Sequence, residues 1–235
     1  MANREVETLR DAHNRVRERI ADGCARVGRD PGTVTLVAVS KTVPVERLRH
    51  AVEAGLRVFG ENRVQEALAK IPEVPDAGWH LIGPLQSNKA RRALEAFEVI
   101  QTVDSVVLAT RLDRLAGELG KERMPVLLQV NVDLDAAKAG FRPDDLARAV
   151  GELAGLGRLD VRGLMTIGRE AARPEEARRT FVGLRDLSDT LRDMWSALGP
   201  ELSMGMSDDY PIAVEEGATM VRVGRALFGE RAHQH

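Results

Sequence analysis

The sequence predicts an α/β fold: a closed (β/α)8 TIM barrel with an extra N-terminal helix. Short apolar runs alternate with amphipathic segments along the chain, which calls for parallel strands joined by helical crossovers. About eight such units fit the 235 residues, and that number closes a barrel of ordinary size. An open doubly wound sheet would place a glycine-rich loop after its first strand. Here Lys41-Thr42-Val43-Pro44 stands in that place.

Residues 4–28 carry Val6, Leu9, Val16, Ile20 and Val27 at intervals of three, four or seven, one apolar stripe on a helix otherwise rich in Arg and Glu. Gly28, Asp30, Pro31 and Gly32 stop it. The leading helix takes up 1–30 and the barrel about 33–230; with no linker, repeat or low-complexity tract between them, 1–235 reads as a single domain. Strands are predicted at 34–40, 56–60, 79–83, 98–103, 125–132, 159–165, 202–205 and 219–223. Helices are predicted between them near 45–54, 62–70, 86–96, 105–120, 143–154, 174–198 and 208–216.

Composition narrows the function classes. A formal net charge of -2 offers no global basic field to nucleic acid or to an anionic membrane. Cys24 is the single cysteine, so neither an intramolecular disulfide nor a cysteine-built metal cluster is available. The histidines are His13, His50, His80, His233 and His235, and none forms the close pair with a carboxylate that a zinc site needs; no metal is expected. No apolar run is long enough to span a bilayer as a helix, and Met1-Ala2-Asn3-Arg4-Glu5 does not open a signal peptide, so a cytoplasmic protein is expected.

In a barrel of this kind the chemistry belongs to the carboxyl ends of the strands. The first strand, Val37-Ala38-Val39-Ser40-Lys41-Thr42, delivers an amine to the mouth of an apolar core. Held in a dry setting, a lysine can lose its proton and attack a carbonyl, which makes Schiff-base chemistry available; at a strand end it can also snorkel to solvent. The second strand puts Glu61 and Asn62 at the rim, and the third carries His80 within an apolar run. The fifth presents Asn131, followed by Lys138-Ala139-Gly140, and the sixth ends at Gly163-Leu164-Met165-Thr166.

The last two strands suggest an anion site. Barrels often bind phosphate with the loops after strands seven and eight. Ser207, in Ser203-Met204-Gly205-Met206-Ser207-Asp208-Asp209, offers a hydroxyl at the N-terminus of the predicted 208–216 helix, where free N–H groups favour an anion or a plain cap. Gly224 allows close backbone approach to a ligand. Arg222 alternates with Val221 and Val223 and so points into the barrel, where a ligand or a buried carboxylate must partner it. Amine, phosphate cradle on the far side of the mouth, and interior cation together suit pyridoxal 5′-phosphate; a phosphate-sugar aldolase with a Schiff-base lysine would explain the first two as well.

The chain resembles the YggS/PROSC-type pyridoxal phosphate homeostasis proteins. The motifs are Leu36-Val37-Ala38-Val39-Ser40-Lys41, Phe59-Gly60-Glu61-Asn62-Arg63-Val64-Gln65-Glu66 and Trp79-His80-Leu81-Ile82-Gly83-Pro84-Leu85-Gln86-Ser87-Asn88-Lys89. Further matches are Gly163-Leu164-Met165-Thr166, the Ser203–Asp209 block, and Val221-Arg222-Val223-Gly224-Arg225-Ala226-Leu227-Phe228-Gly229. The resemblance implies a fold like the barrel domain of alanine racemase, with the cofactor on Lys41. It also implies phosphate contacts from Ser207 and the Gly224 backbone, and Arg222 facing the pyridine nitrogen. The candidate cofactor-binding residues are Lys41, Asn62, His80, Met204, Ser207, Arg222 and Gly224. Arg63 stands where the family commonly has Tyr, and Arg225 where it has Thr or Ser; the latter removes a hydroxyl from the phosphate loop.

The function this implies is a non-catalytic holder that stores, buffers or delivers pyridoxal 5′-phosphate. Arginine stays protonated, so it cannot give the ring a proton as a carboxylic acid would, and the electron sink is weak. Racemases of this lineage add a tyrosine base from a further β-domain, whereas the one tyrosine here is Tyr210, in the seventh loop. The alternative is an enzyme, such as a weak amino-acid racemase using Lys41 with His80 or Tyr210. The expected partners are the cofactor itself and the apo forms of pyridoxal-phosphate-dependent enzymes, with neither nucleic acid nor membrane. Without the β-domain that builds racemase dimers, a monomer is expected. Lys138 is a second candidate attachment point.

Overall fold

Eight parallel strands close on themselves in chain order in the computed structural model, which describes residues 2–169 and 173–229. They are β1 (Thr35–Val39), β2 (Val58–Glu61), β3 (Gly78–Leu81), β4 (Val99–Val103), β5 (Met124–Gln129), β6 (Leu159–Met165), β7 (Glu201–Ser203) and β8 (Met220–Val223). Closure is made by β1 on β8, with Val37 opposite Arg222 and Ala38 opposite Val223. The helices are α1 (Ala2–Arg26), α2 (Val45–Glu53), α3 (Val64–Lys70), α4 (Ala90–Ala96), α5 (Val106–Glu118), α6 (Pro143–Ala154), α7 (Arg178–Met194), α8 (Tyr210–Glu215) and α9 (Arg225–Phe228). The expected barrel and its leading helix are both present.

Strand alternation sorts the side chains into two cores. Leu36, Ala38, Phe59, Trp79, Leu81, Ile100, Leu128, Leu164, Val221 and Val223 point outward and are buried with the helices in one continuous apolar cluster. Inside the barrel, Leu127, Met165 and Met220 form a small separate cluster. Val37 and Ile82 also pack inside, beside Gly60, while His80, Gln101, Ser203 and Arg222 bring polar groups into the interior, and that is where the site lies. α1 packs on α2, α8 and α9, and just past it Arg29 donates to the carbonyls of Val214 and Ala218.

Four expectations need correction. Val27 does not belong to the apolar stripe of α1: the helix ends at Arg26, Val27 is 45% exposed, and Cys24 takes the buried place. β5 stops at Gln129 rather than at 132, because the backbone of Asn131 turns to bond Phe141 in the following loop. The predicted 174–198 helix opens as a 3-10 turn at Pro174–Ala177, where proline lacks an N–H, and ends at Met194. α9 has no counterpart among the predicted helices, since four residues carry no readable periodicity. His233 and His235 lie outside the described residues. Among the described residues no helix is long and apolar enough to cross a membrane.

Candidate functional site

Lys41 sits half-buried at the carboxyl mouth, two residues past Val39 in the alternation that turns Val37 inward. The next residue, Thr42, has φ 66, a left-handed backbone that costs a non-glycine residue about 1–2 kcal/mol. Such strain persists only where neighbours over-determine it. Here the neighbours are specific. The Thr42 N–H donates to Glu66 Oε1 at 2.6 Å, and Lys70 Nζ donates to the Ser40 carbonyl at 2.8 Å. Lys70 also meets Glu61 Oε1 and Glu66 Oε1, each at 2.7 Å, and the Ser40 hydroxyl donates to Glu61 Oε1 at 2.7 Å. The Lys41 turn is thus gripped from α3 on both sides.

The grip corrects the reading of Glu61 as a rim carboxylate. Gly60 faces the interior, so Glu61 points outward and is fully buried beneath α3. Burial pushes its carboxyl up despite the hydrogen bonds from Lys70 and Ser40, and among the described residues Oε2 has no hydrogen-bond partner. Asn62 follows, half-buried, at the tip of β2. Its backbone presses on Gly83 so closely that a Cβ there would lie 2.4 Å from the Asn62 carbonyl oxygen. Glycine is required for that approach.

Arg222 enters the barrel from β8, as its strand parity predicts. Nη1 donates to Ser203 Oγ at 2.6 Å and Nη2 to the Thr166 carbonyl at 2.7 Å. Among the described residues no carboxylate lies within ion-pairing distance of it. Burial brings its pKa down to about 10, offset in part by Asp209, so it remains a cation at neutral pH. A buried cation without a paired anion is costly unless an electron-rich group supplies the missing partner. His80 lies further round the interior, with Gln101 Nε2 at 2.8 Å from Nδ1, and Gln101 Oε1 accepts from Ser203 Oγ at 2.7 Å. Burial, aided by the charge of Arg162, pushes the His80 pKa down to about 4.

Ser207 does not act through the helix that follows it. α8 begins at Tyr210, and Asp209 Oδ1 accepts instead from the Met206 N–H at 2.6 Å. The Ser207 hydroxyl turns across to the next loop, where it accepts from the N–H groups of Gly224 at 3.2 Å and Ala226 at 3.5 Å. Two backbone donors therefore converge on one oxygen, the arrangement an anion needs. A Cβ on Gly224 would stand 3.2 Å from the Val39 Cβ, so this loop rests directly on β1. Because β1 and β8 are neighbours, the cradle stands beside the Lys41 strand rather than across the mouth. Arg225 neither joins the cradle nor reaches for solvent alone; it pairs with exposed Asp208 and ties the two loops together.

The other candidates divide. Met204 is fully buried in the outer core with the helices, so only its backbone faces the strand end, where its N–H donates to the Met220 carbonyl. Tyr210 is buried on the far side of α8 under the Arg19 guanidinium, 5.4 Å from its ring, away from the mouth. Asn131 is committed to its own loop, donating to the carbonyls of Asp135 and Lys138. Lys138 donates to the carbonyls of Ile167 and Gly168. Among the described residues no group of three or more His, Cys, Asp or Glu is placed to hold a metal.

Sequence reasoning assigned no role to Gln101, Ser203, Glu66 or Lys70. For Gln101 the signal was present: a primary amide in Val99-Ile100-Gln101-Thr102-Val103 breaks an apolar strand and demands a partner. Lys70 gave none, because an i,i+4 pair with Glu66 reads as an ordinary solvated helix face.

Residues 15–232 match the family model described as the alanine racemase N-terminal domain. A relative from Pseudomonas aeruginosa, called a pyridoxal phosphate homeostasis protein, is 44% identical over 228 residues, which cover 96% of this chain and 97% of that one. The Escherichia coli K12 protein of the same name is 42% identical, with coverage of 94% and 96%. PipY of Synechococcus elongatus PCC7942, solved with PLP bound, superposes with a TM-score of 0.79 at 46% identity, covering 89% of this chain and 100% of that one. Alanine racemase of Clostridium difficile 630 shares the fold, with a TM-score of 0.75 at 18% identity over 97% of this chain and 58% of its own.

Proposed function

Since this chain belongs to the alanine racemase N-terminal domain family, we propose that it is a non-catalytic protein that binds pyridoxal 5′-phosphate and takes part in intracellular homeostasis of that cofactor. One observation carries the reading: the Gly224 and Ala226 N–H groups converge on the Ser207 hydroxyl in a loop that rests on the strand leading to Lys41. When bound, the cofactor supplies an aldehyde, a phosphate and a ring nitrogen on one small molecule.

Lys41 holds the aldehyde carbon as a Schiff base, on a turn that Lys70 and Glu66 keep in one conformation. Ser207 and the Gly224 backbone take the phosphate. Arg222 supplies a fixed cation to the ring nitrogen, with both ends of its guanidinium already bonded to protein. A cation there disfavours the protonated ring and so weakens the electron withdrawal that racemisation requires. Asn62, His80 and the Met204 backbone complete the set of contacts. Tyr210, packed under Arg19, is badly placed to serve as a second base, which favours the holder over a weak racemase.

The visible absorbance of the purified protein tests this reading. A cofactor band that disappears in Lys41→Ala supports it, and an unchanged band overturns the lysine assignment. Borohydride reduction followed by peptide mapping is expected to label Lys41; a label on Lys138 or Lys89 with Lys41 bare sinks it. Amino-acid turnover at ordinary enzymic rates, lost in Lys41→Ala, would favour the racemase instead. The reading includes a cytoplasmic, single-domain monomer whose cofactor passes to apo forms of pyridoxal-phosphate-dependent enzymes, with light scattering as the check on its mass.

A further inference from the structure

We propose that Ser203 and Gln101 are positioning residues that form a one-way hydrogen-bond relay from Arg222 to His80, fixing His80 as the Nε2–H tautomer with its Nδ1 lone pair occupied. The inference deepens the holder reading, because a histidine held this way enters the barrel as a donor and has no base to offer.

The sense of the relay follows from its first member. A guanidinium has five donors and no acceptor, so the 2.6 Å contact from Arg222 Nη1 makes Ser203 Oγ an acceptor there. Ser203 must then place its own proton elsewhere. It is fully buried, and among the described residues the acceptor within reach is Gln101 Oε1, at 2.7 Å. With its oxygen turned to Ser203, Gln101 aims its NH2 the other way. There it meets His80 Nδ1 at 2.8 Å and Met220 Sδ at 3.6 Å, and an acceptor is what each offers. His80 Nδ1 therefore carries no proton.

Turning the Gln101 amide over breaks the chain at three points. Ser203 Oγ would face two donors with no acceptor for its own hydrogen, the amide oxygen would lie against the Met220 sulfur, and His80 would have to protonate Nδ1. Water cannot repair this easily: Arg222 is 4% exposed, Ser203 and Gln101 0%, and His80 6%. His80 is neutral at physiological pH because burial disfavours its cation, so its single proton lies on Nε2. Both ring nitrogens are then spoken for, one by Gln101 and one by hydrogen. Arg222 gains from the same relay, since Ser203 and the Thr166 carbonyl fix its plane.

Nitrogen-15 NMR of histidine-labelled protein reads the tautomer directly, with His80→Asn identifying the His80 signals. Measured on protein stripped of cofactor, it stands whether or not pyridoxal 5′-phosphate binds, so its failure and that of the holder reading are separable. The expected spectrum shows an unprotonated Nδ1 and a protonated Nε2, unchanged from pH 6 to pH 8. A protonated Nδ1, or the mixture of tautomers that free imidazole shows, overturns the relay. In Gln101→Glu the carboxylate only accepts, so His80 is expected to take a proton on Nδ1; an unchanged Nδ1 signal in that variant also overturns it. Should Gln101→Glu fail to fold, the wild-type spectrum decides by itself.

Discussion

His80 links a single side chain to the stability of the molecule. Its pKa is 6.5 in an ordinary setting and about 4 in the barrel, so below pH 6.5 the unfolded chain binds a proton that the folded chain refuses. This contribution to stability is complete above pH 6.5 and is lost as pH falls towards 4, by roughly 3 kcal/mol in all. Urea unfolding of wild type and His80→Asn at pH 7, 6 and 5 measures it. The variant is expected to be less stable than wild type at pH 7, with a gap that narrows as the solution is acidified. A gap that stays constant would mean the imidazole is solvated. The residue-scale logic of Lys41 and Arg222 is similar: each is a charge at or within an apolar strand, which made both legible in the sequence.

The α3 grip on the Lys41 turn belongs to the scale of elements. One ammonium, Lys70, joins the carboxylates of Glu61 and Glu66 to the Ser40 carbonyl, and the strained Thr42 lies between these contacts. Lys70→Met removes the cation and leaves Glu61 buried and unpaired, a change that costs about 3–5 kcal/mol. Chemical denaturation is expected to report that loss, and adding Glu61→Gln is expected to recover much of it. A loss below about 1 kcal/mol, the value of an exposed pair, would show that α3 does not hold the turn. The sequence displayed Glu66 and Lys70 four residues apart but could not say that the pair faces inward. That depends on the angle at which α3 lies over β1 and β2.

At the scale of the whole molecule, α1 covers one side of the barrel. Val6, Leu9, Val16, Ile20 and Cys24 are buried against it. Each large apolar side chain contributes roughly 1.5–3 kcal/mol when buried, so the stripe amounts to on the order of 10 kcal/mol. That is comparable with the entire stability of an ordinary domain, about 5–15 kcal/mol. A chain lacking residues 1–28 is therefore expected to aggregate or to lose cooperative unfolding; a soluble product melting within a few degrees of the full chain would contradict the estimate.

The barrel, its strand order and the approximate place of its eight strands and of the helices between them are legible in the sequence, because period-two and helical apolar patterns are local and survive in one dimension. It also singled out Lys41, His80, Ser207, Arg222 and Gly224. What each one touches depends on how the strands and loops pack in three dimensions. The pattern around Ser207 points to an anion contact or a cap at the N-terminus of its own helix, but that helix starts at Tyr210 and the hydroxyl accepts from the loop after β8. The position of Glu61 at the end of β2 suggests the rim, yet its carboxylate lies beneath α3. Gln101 and Ser203, a hundred and two residues apart in the chain, became neighbours in one relay. The Ser207 and Gln101 contacts join different strands or the loops that follow them, and closure of the barrel is what brings such distant side chains together.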